Sequence, residues 1–502
     1  MSDKKIATVN ILSSLFLQFV AILSGFILPR LILTTFGSEI NGLVSSITQF
    51  LNYISLFEGG VSVVIMSSLY IPLAENNMLK VSGIVKAANH FFKKLGIIFV
   101  VYAVAVSIAY PLVVKTSLSY LFVASLSIIL ASNLFIQYMF AIAYRTLLIA
   151  DRKGYIVYFS QSAFFIINLI LVYIVLKVYP EIHILKLVSA LAFAIQPLLY
   201  NLYVKKHYPI NHHIQPDEEA LAQKWDGFGQ NFALFIHNNT DVVVLSLLSN
   251  LKDVSVYSIY FMITNSVKTI VNSVSNAILP SIGNVYVSSN IDELNDVFDQ
   301  YVFLIYTIST VIFSCTAILL IPFVHIYTHN IKDTNYIQPL FGFILMAAYA
   351  IECYREPFIQ ITYIAKHFKE TSKYAYIEAI LNIVISVILV WKLGLVGVAI
   401  GTVISVVYRL LSLVIYTSQY ILHRPVIKFI KNFMNSVITI IISYLVIIHF
   451  IDIQTYTLIS WFVYTIKSVV IVLCIEFIDI LIVDRKHLKT MKRFMKSDKS
   501  NS

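Results

Sequence analysis

A chain of 502 residues with 59% hydrophobic side chains, only 12% charged ones and a mean hydropathy of +0.82 is too apolar for a soluble protein. Its apolar runs have helix length and lack the strict alternation of barrel strands, which predicts an all-α polytopic membrane protein. The net charge of +10 does not point to nucleic acid, because most Lys and Arg lie between apolar runs or at their ends, where anionic lipid and membrane orientation account for them.

In chain order the apolar runs predict about fourteen spans: 6–28, 40–70, 95–114, 118–148, 155–178, 183–204, 227–250, 254–285, 300–328, 336–363, 370–392, 393–420, 426–450 and 455–483. The first follows Lys4 and Lys5, is too long for a signal-peptide core and lacks a small-residue cleavage site, so it is read as a retained helix. With both termini placed inside, 25 of the 36 Lys and Arg fall in inside gaps, span ends and tails. Six fall outside (Arg30, Lys115, Lys177, Lys252, Lys332 and Lys392), and Lys186, Lys268, Arg355, Arg409 and Lys467 lie within spans. This asymmetry predicts a multi-pass protein of a cytoplasmic membrane with both termini cytoplasmic. One inside gap, 286–299, departs from the pattern: it holds Asp292, Glu293, Asp296 and Asp299 and no cation. The outside gaps are all short and leave no room for a separate outer domain.

The longest inside gap contains Pro209, His212, His213, Pro216 and an acidic run at Asp217–Glu219, and reads as a linker. The division that follows is an N-terminal six-helix lobe (1–204), a cytoplasmic linker (205–226), a second six-helix lobe (227–420), and two extra helices with a basic tail (421–502). A shift of 213 residues supports two pseudo-symmetric lobes: it brings Asn52 onto Asn265, Ser55 onto Lys268, Ser62 onto Ser275 and Asn77 onto Asn290. Transporters are often built from such repeats.

Polar residues inside the spans are the candidate functional groups. Lys268 shares one helical face with Asn265, Asn272, Ser275 and Asn276, in an otherwise apolar run. A cation at that depth is costly unless it meets water, a partner charge or a ligand. The face is therefore expected to line a wet path and to hold an anionic substrate group; a structural ion pair with a buried acid, such as Asp241 or Glu58, is the competing reading. The second span has a similar stripe, Asn41, Ser45, Thr48, Asn52, Ser55, Gly59 and Ser62. Gln18 with Ser14, and Asn133 with Gln137, extend the expected lining, and Arg30 after Pro29 either guards the outer mouth or reaches for the interface. Asp241, near Asn231 and Asn238, and Glu58 are candidates for a coupling cation or proton, or for helix–helix hydrogen bonding. Glu352, Arg355 and Glu356 are spaced to neutralise one another along a helix ahead of Pro357, where a hinge or gate is one option. Arg409 and Glu378, the latter followed by Asn382 and Ser386, are further polar elements of this kind. Gly394, Gly397 and Gly401 are expected to let helices approach closely. In the last span, Lys467, Glu476 and Asp479 either pair internally or line a groove for a lipid tail.

Several signals are missing. There is no phosphate-binding GxxxxGK[ST] loop, no metal spacing around His212 and His213 or the scattered Cys315, Cys353 and Cys474, and no nucleophile–base set. The chain is expected to be no enzyme, to need no cofactor and to draw any driving energy from an ion gradient, the membrane potential or the substrate's own gradient.

Leu28-Pro29-Arg30-Leu31, Phe36-Gly37 and Asn41-Gly42-Leu43 resemble the opening of bacterial polysaccharide flippases of the multidrug/oligosaccharidyl-lipid/polysaccharide exporter superfamily. The resemblance continues at Asn239-Thr240-Asp241, Val256-Tyr257, Leu279-Pro280 and Gly394 to Ala399. It implies two six-helix lobes around a central cavity, two added helices, and rocking between inward- and outward-open states. The implied cargo is a polyprenyl-diphosphate-linked oligosaccharide, carried across the bacterial cytoplasmic membrane for surface polysaccharide synthesis. Membrane lipids, a coupling ion (sodium or a proton), a polysaccharide polymerase and glycosyltransferases are the implied partners. Related lipid-precursor flippases carry several cavity arginines, whereas the first two spans here supply only Arg30. Two other readings stay open: a multidrug cation antiporter of the same superfamily, for which Asp241, Glu58 and Glu378 would be the acids, and a membrane polymerase or glycosyltransferase, against which the short outer gaps argue.

Overall fold

The computed structural model describes residues 3–58, 60–211, 213–222, 228–288, 290–451 and 456–483. The expected basic tail, His212 and the side chains of Asn231 and Asn238 lie outside the described residues. By contact density the chain divides into two compact units, Met1–Ser255 and Val256–Ser502. Among the described residues the regular structure is helical throughout.

The first unit begins with α1 (Asp3–Asn52), followed by a 3-10 turn (Tyr53–Phe57), α2 (Val61–Ala74), α3 (Met78–Val113), α4 (Tyr120–Phe140), α5 (Ile142–Ala150), α6 (Gly154–Val178), α7 (Ile182–Phe193), α8 (Ile195–His207) and α9 (Phe228–Leu248). Helix α10 (Leu251–Ser288) starts in this unit and continues into the second. The second unit adds α11 (Ile291–Tyr327), α12 (Pro339–Ile364), α13 (Phe368–Leu393), α14 (Leu395–Tyr420), α15 (Ile427–Phe450) and α16 (Leu458–Ile482). Nine of the described helical segments are long and apolar enough to cross a membrane.

The fourteen expected spans all have helical counterparts, with three corrections. The gap expected at 29–39 is helical: α1 runs on through Pro29 and bends at Gly37, whose φ of 83° only glycine adopts without strain. Conversely, the single span expected at 40–70 is interrupted by the 3-10 turn at Tyr53–Phe57. Helices α3 and α11 start at Met78 and Ile291, well before the apolar runs that revealed them, because their polar first turns are capped by Asn77 and Asn290. These two caps stand 213 positions apart, and each accepts a hydrogen bond from the amide three residues on, Lys80 at 3.1 Å and Glu293 at 2.9 Å. The same shift carries the α7–α8 pair, 182–207, onto α14, 395–420. Helices α1–α8 and α9–α14 thus repeat one order, and α15 and α16 are additional, both packed on α11.

Cores are apolar and aromatic in each unit: Phe92, Phe99, Tyr138 and Tyr200 in the first, and Tyr260, Phe298, Phe313, Phe341 and Phe358 in the second. Large apolar side chains such as Val101, Leu121, Trp391 and Ile459 point outward, as expected of helices whose solvent is lipid. Close approach of α13 and α14 depends on small residues: a Cβ on Gly397 would lie 2.5 Å from the Leu389 carbonyl oxygen, and one on Gly401 would lie 2.3 Å from Ser386 Oγ. Asn382 and Ser386 serve that packing too, donating to Thr402 Oγ1 at 3.1 Å and to the Val398 carbonyl at 3.4 Å.

Hydrogen bonds and ion pairs also tie connections together. Glu39 accepts from Thr116 Oγ1 at 2.8 Å and from the Ser117 amide at 2.7 Å. Asn10 Nδ2, near the start of α1, donates to the Arg152 carbonyl at 2.8 Å. Asp299, from the acidic gap that departed from the charge pattern, pairs with Arg424 at 2.6 Å, just before α15, and with Lys428 in its first turn.

Candidate functional site

In the first unit, the second half of α1 meets α9 and the start of α10 through side-chain hydrogen bonds. Asn41 Nδ2 donates to Ser255 Oγ at 2.7 Å, the Ser46 and Ser246 hydroxyls meet at 2.5 Å, and Gln49 donates to Asn239. Tyr110 adds a bond to Ser46 Oγ at 2.7 Å. Gly42 sits in this seam so tightly that a Cβ would fall 1.8 Å from the Leu251 carbonyl oxygen. Part of the polar stripe expected to be water-lined is therefore a helix–helix contact. Four-residue spacing places side chains on one face but does not say whether that face meets water or another helix.

The other candidates of this unit are spread out. Gln18 is exposed and Arg30 half-buried on α1, about 18 Å apart along the helix axis. Asn52 is half-buried at the end of α1, where its carbonyl accepts from Ser55 Oγ at 2.7 Å. Glu58 follows the 3-10 turn, with Arg145 and Tyr138 in its electrostatic surroundings. Asp241 is buried on α9 near Tyr53.

The second unit gathers its charges into two groups, linked by one turn of α12. In the first, Lys268 of α10 is ion-paired to Glu352 of α12, and its ammonium lies 5.3 Å from the centre of the Tyr349 ring. The Lys268 side chain is 19% exposed and that of Glu352 only 5%, so the pair has one accessible edge, on the cation. Asn265 and Asn272 flank Lys268 on α10, half-buried. Ser275 departs from the expected stripe: it is buried and bonded to Tyr301 of α11 at 2.5 Å. Lys268 is thus paired with a buried acid, as in the competing reading, and that acid is Glu352 rather than Asp241 or Glu58.

In the second group, Glu378 of α13 bridges two guanidinium groups, Arg355 of α12 and Arg409 of α14, the latter at 2.5 Å. Glu378 is fully buried and both arginines are nearly so. Glu352 and Glu356 lie in the electrostatic surroundings of Arg355, as the spacing along α12 led one to expect, but Glu352 and Arg355 also hydrogen-bond to Lys268 and Glu378 on other helices, and Glu356 accepts from Gln360 at 2.6 Å. On a buried helix these long side chains also reach partners on the neighbouring helices. Cross-helix bonding of three helices makes this triad a brace. In α16, Asp479 accepts from Asn435 Nδ2 of α15 at 2.7 Å, while Lys467 is exposed.

Sequence reasoning missed Gln49, the seam contact of Asn239, the role of Glu352, and the aromatic wall of Tyr349. The spacing of Tyr349 and Glu352, one turn apart and both facing α10, was the available signal.

Helices α1–α8 and α9–α14 thus repeat one order, with charged side chains buried among apolar helices. Solved structures share this fold. The fold is similar to a structure described as the lipid II flippase MurJ in an inward closed conformation, with a TM-score of 0.74 and 15% identity over 96% of this chain and 100% of that one. It is also similar to an inward-facing multidrug resistance MATE family transporter of the MOP superfamily (TM-score 0.65, 14% identity, 82% of this chain and 98% of that one). A third similar structure is a point mutant of the Vibrio cholerae MATE transporter VcmN (TM-score 0.56, 12% identity, 84% of this chain and 98% of that one). No protein-family model matches the sequence, and no curated protein matches it.

Proposed function

We propose that the protein is a flippase that moves a polyprenyl-diphosphate-linked oligosaccharide across a bacterial cytoplasmic membrane by alternating access, for surface polysaccharide synthesis. The observation that carries this reading is the Lys268–Glu352 pair, an ammonium with an accessible edge inside an apolar helix. A diphosphate bears more charge than a carboxylate and competes with Glu352 for that ammonium. Occupied, the cation binds the headgroup; empty, it is neutralised, which lowers the cost of keeping it in the membrane. The polyprenyl tail needs no protein site, since it is as apolar as lipid. Two further observations favour a lipid cargo over a drug. Likeness to the lipid II flippase extends over 96% of the chain, a share that cannot omit α15 and α16, whereas the multidrug transporters cover 82–84%. Within the two charge groups, Glu352 and Glu378 are each matched by a cation, so neither is a bare acid for a cationic drug. Asp241 and Glu58 are assigned to the coupling ion, Asn265, Asn272, Asn52, Arg30 and Gln18 to the polar path, and the Arg355–Glu378–Arg409 brace to keeping α12, α13 and α14 rigid during the transition.

The test uses the full chain in liposomes with a fluorescent polyprenyl-diphosphate saccharide, alongside surface-glycan display in a deletion strain. Lys268→Ala is expected to lower flipping at least about tenfold, the equivalent of one lost ion contact, at unchanged protein level. Full glycan display by Lys268→Ala would sink the assignment of Lys268. Efflux of cationic dyes, with no flipping by the wild-type protein, would replace the whole reading with that of a drug antiporter.

A further inference from the structure

The first unit contains a second feature suited to an anion, unrelated to Lys268. A cavity of about 290 Å³ opens between α3, the end of α4, α5, α8 and the segment after α8. Its polar wall is made by Lys86, Asn89, Lys93, Tyr144, Asn201 and Asn211, and none of its lining residues is a carboxylate. Met139 and Phe140 supply an apolar side, and Phe140 is half exposed to the surroundings of the protein.

The wall is fixed by bonds already made. Lys86 Nζ donates to the Ile214 carbonyl at 2.6 Å, and the Asn211 amide to Ser82 Oγ at 3.0 Å. Asn201 Nδ2 donates to the Pro197 carbonyl at 2.8 Å. Further along, the Asp217 amide bonds to the Gly83 carbonyl at 3.1 Å, and Ser68 Oγ to the Ala220 carbonyl at 2.9 Å. The segment read as a linker is strapped onto α2 and α3 and forms one side of the cavity. Lys86 and Lys93 lie seven residues apart on one face of α3, about 10.5 Å along its axis, and both line the cavity.

We propose that this cavity binds a phosphate group, presented by the headgroup of an acidic phospholipid or by free phosphate. Two ammonium groups, a phenol and an amide offer donors to phosphate oxygens, and no competing acid lines the space. The preformed wall lowers the ordering cost of binding. Basic pockets between membrane helices at the membrane surface have the chemistry to hold anionic headgroups. The apolar side, open at Phe140, suits the first acyl carbons of a lipid.

Full-length protein in detergent is titrated with phosphatidylglycerol or phosphatidylcholine, and bound lipid is counted by native mass spectrometry, with and without millimolar inorganic phosphate. Lys86→Gln/Lys93→Gln is compared with Lys94→Gln/Lys205→Gln, which removes the same charge from exposed positions outside the cavity. The pocket pair is expected to weaken retention of phosphatidylglycerol about tenfold and the control pair to leave it unchanged, as for two cations contacting one headgroup. Lys93→Gln and Lys93→Arg, which leave the Lys86 anchor intact, are expected to weaken and to keep binding, respectively. Retention that survives inorganic phosphate identifies the lipid headgroup as the source; displacement by phosphate identifies free phosphate. Equal losses in the pocket and control pairs would overturn the proposal, as would equal retention of the two lipids without any effect of phosphate.

Discussion

Glu378→Gln is the sharpest test of the brace in the second unit. The carboxylate is fully buried and contacts Arg355 and Arg409 on two other helices. At an effective dielectric near 20 and charge centres about 4 Å apart, each attraction is worth about 4 kcal/mol before desolvation. The amide loses both attractions and leaves two guanidinium groups facing each other, with their Nε atoms already lacking hydrogen-bond partners among the described residues. Breaking a buried ion pair in this way costs about 3–5 kcal/mol, which for a unit of this size lowers the melting temperature by roughly 10 °C. Cys353 lies two residues from Arg355 and is buried, so it reports the opening of α12 to a thiol-reactive dye. The melt is best recorded in a Cys315→Ala/Cys474→Ser background, since Cys474 is exposed and Cys315 partly so. Arg355→Met is expected to cost about half as much, because Glu378 keeps Arg409. Replacing all three by Met or Leu is expected to restore most of the loss, since no uncompensated charge remains. A Glu378→Gln protein that melts with the parent would refute the brace.

Other expectations are equally direct. Glu352→Gln, which releases Lys268 from its partner, should tighten binding of the diphosphate lipid by about tenfold in a binding titration while slowing turnover; unchanged affinity would show that Glu352 does not compete for the ammonium. Gly42→Ala should destabilise by about 1–3 kcal/mol through overpacking against Leu251, whereas Gly25→Ala, with nothing within 4 Å of its added carbon, should be neutral or stabilising; matched melting temperatures would contradict the seam. At the start of α7, burial raises the Glu181 carboxyl, but hydrogen bonds from the Ile184 amide and from His183 outweigh it and hold the group below its ordinary range. The cap is therefore complete above the ordinary carboxylate range and is lost only as pH falls through the lowered value. The protection of the Ile184 amide, its exchange rate relative to the intrinsic rate at the same pH, should be high at neutral pH and fall in strong acid, and Glu181→Gln should lower it at neutral pH; a protection in the parent that does not change with pH would remove the cap.

Much of this protein was legible in one dimension. Membrane helices announce themselves because a bilayer demands long apolar runs, so the helical character of the expected segments, a split near Trp391–Leu393 and the 213-residue repeat could be read from residue order. The polar faces of α1 and α10 were visible for the same reason, since helical periodicity is local. What those faces touch was not. Asn41 and Ser46 meet another helix, Ser275 meets Tyr301, and Lys268 chooses Glu352, residues that lie 26 to 214 positions away. Helix ends beyond the apolar runs, at Met78 and Ile291, likewise depended on Asn caps rather than hydropathy. Residue order alone determined the solvent each helix prefers and where each one stands in the repeat. Only tertiary structure decided which buried charges neutralise one another, because pairing depends on how neighbouring helices are rotated, and packing sets that rotation after the chain has folded.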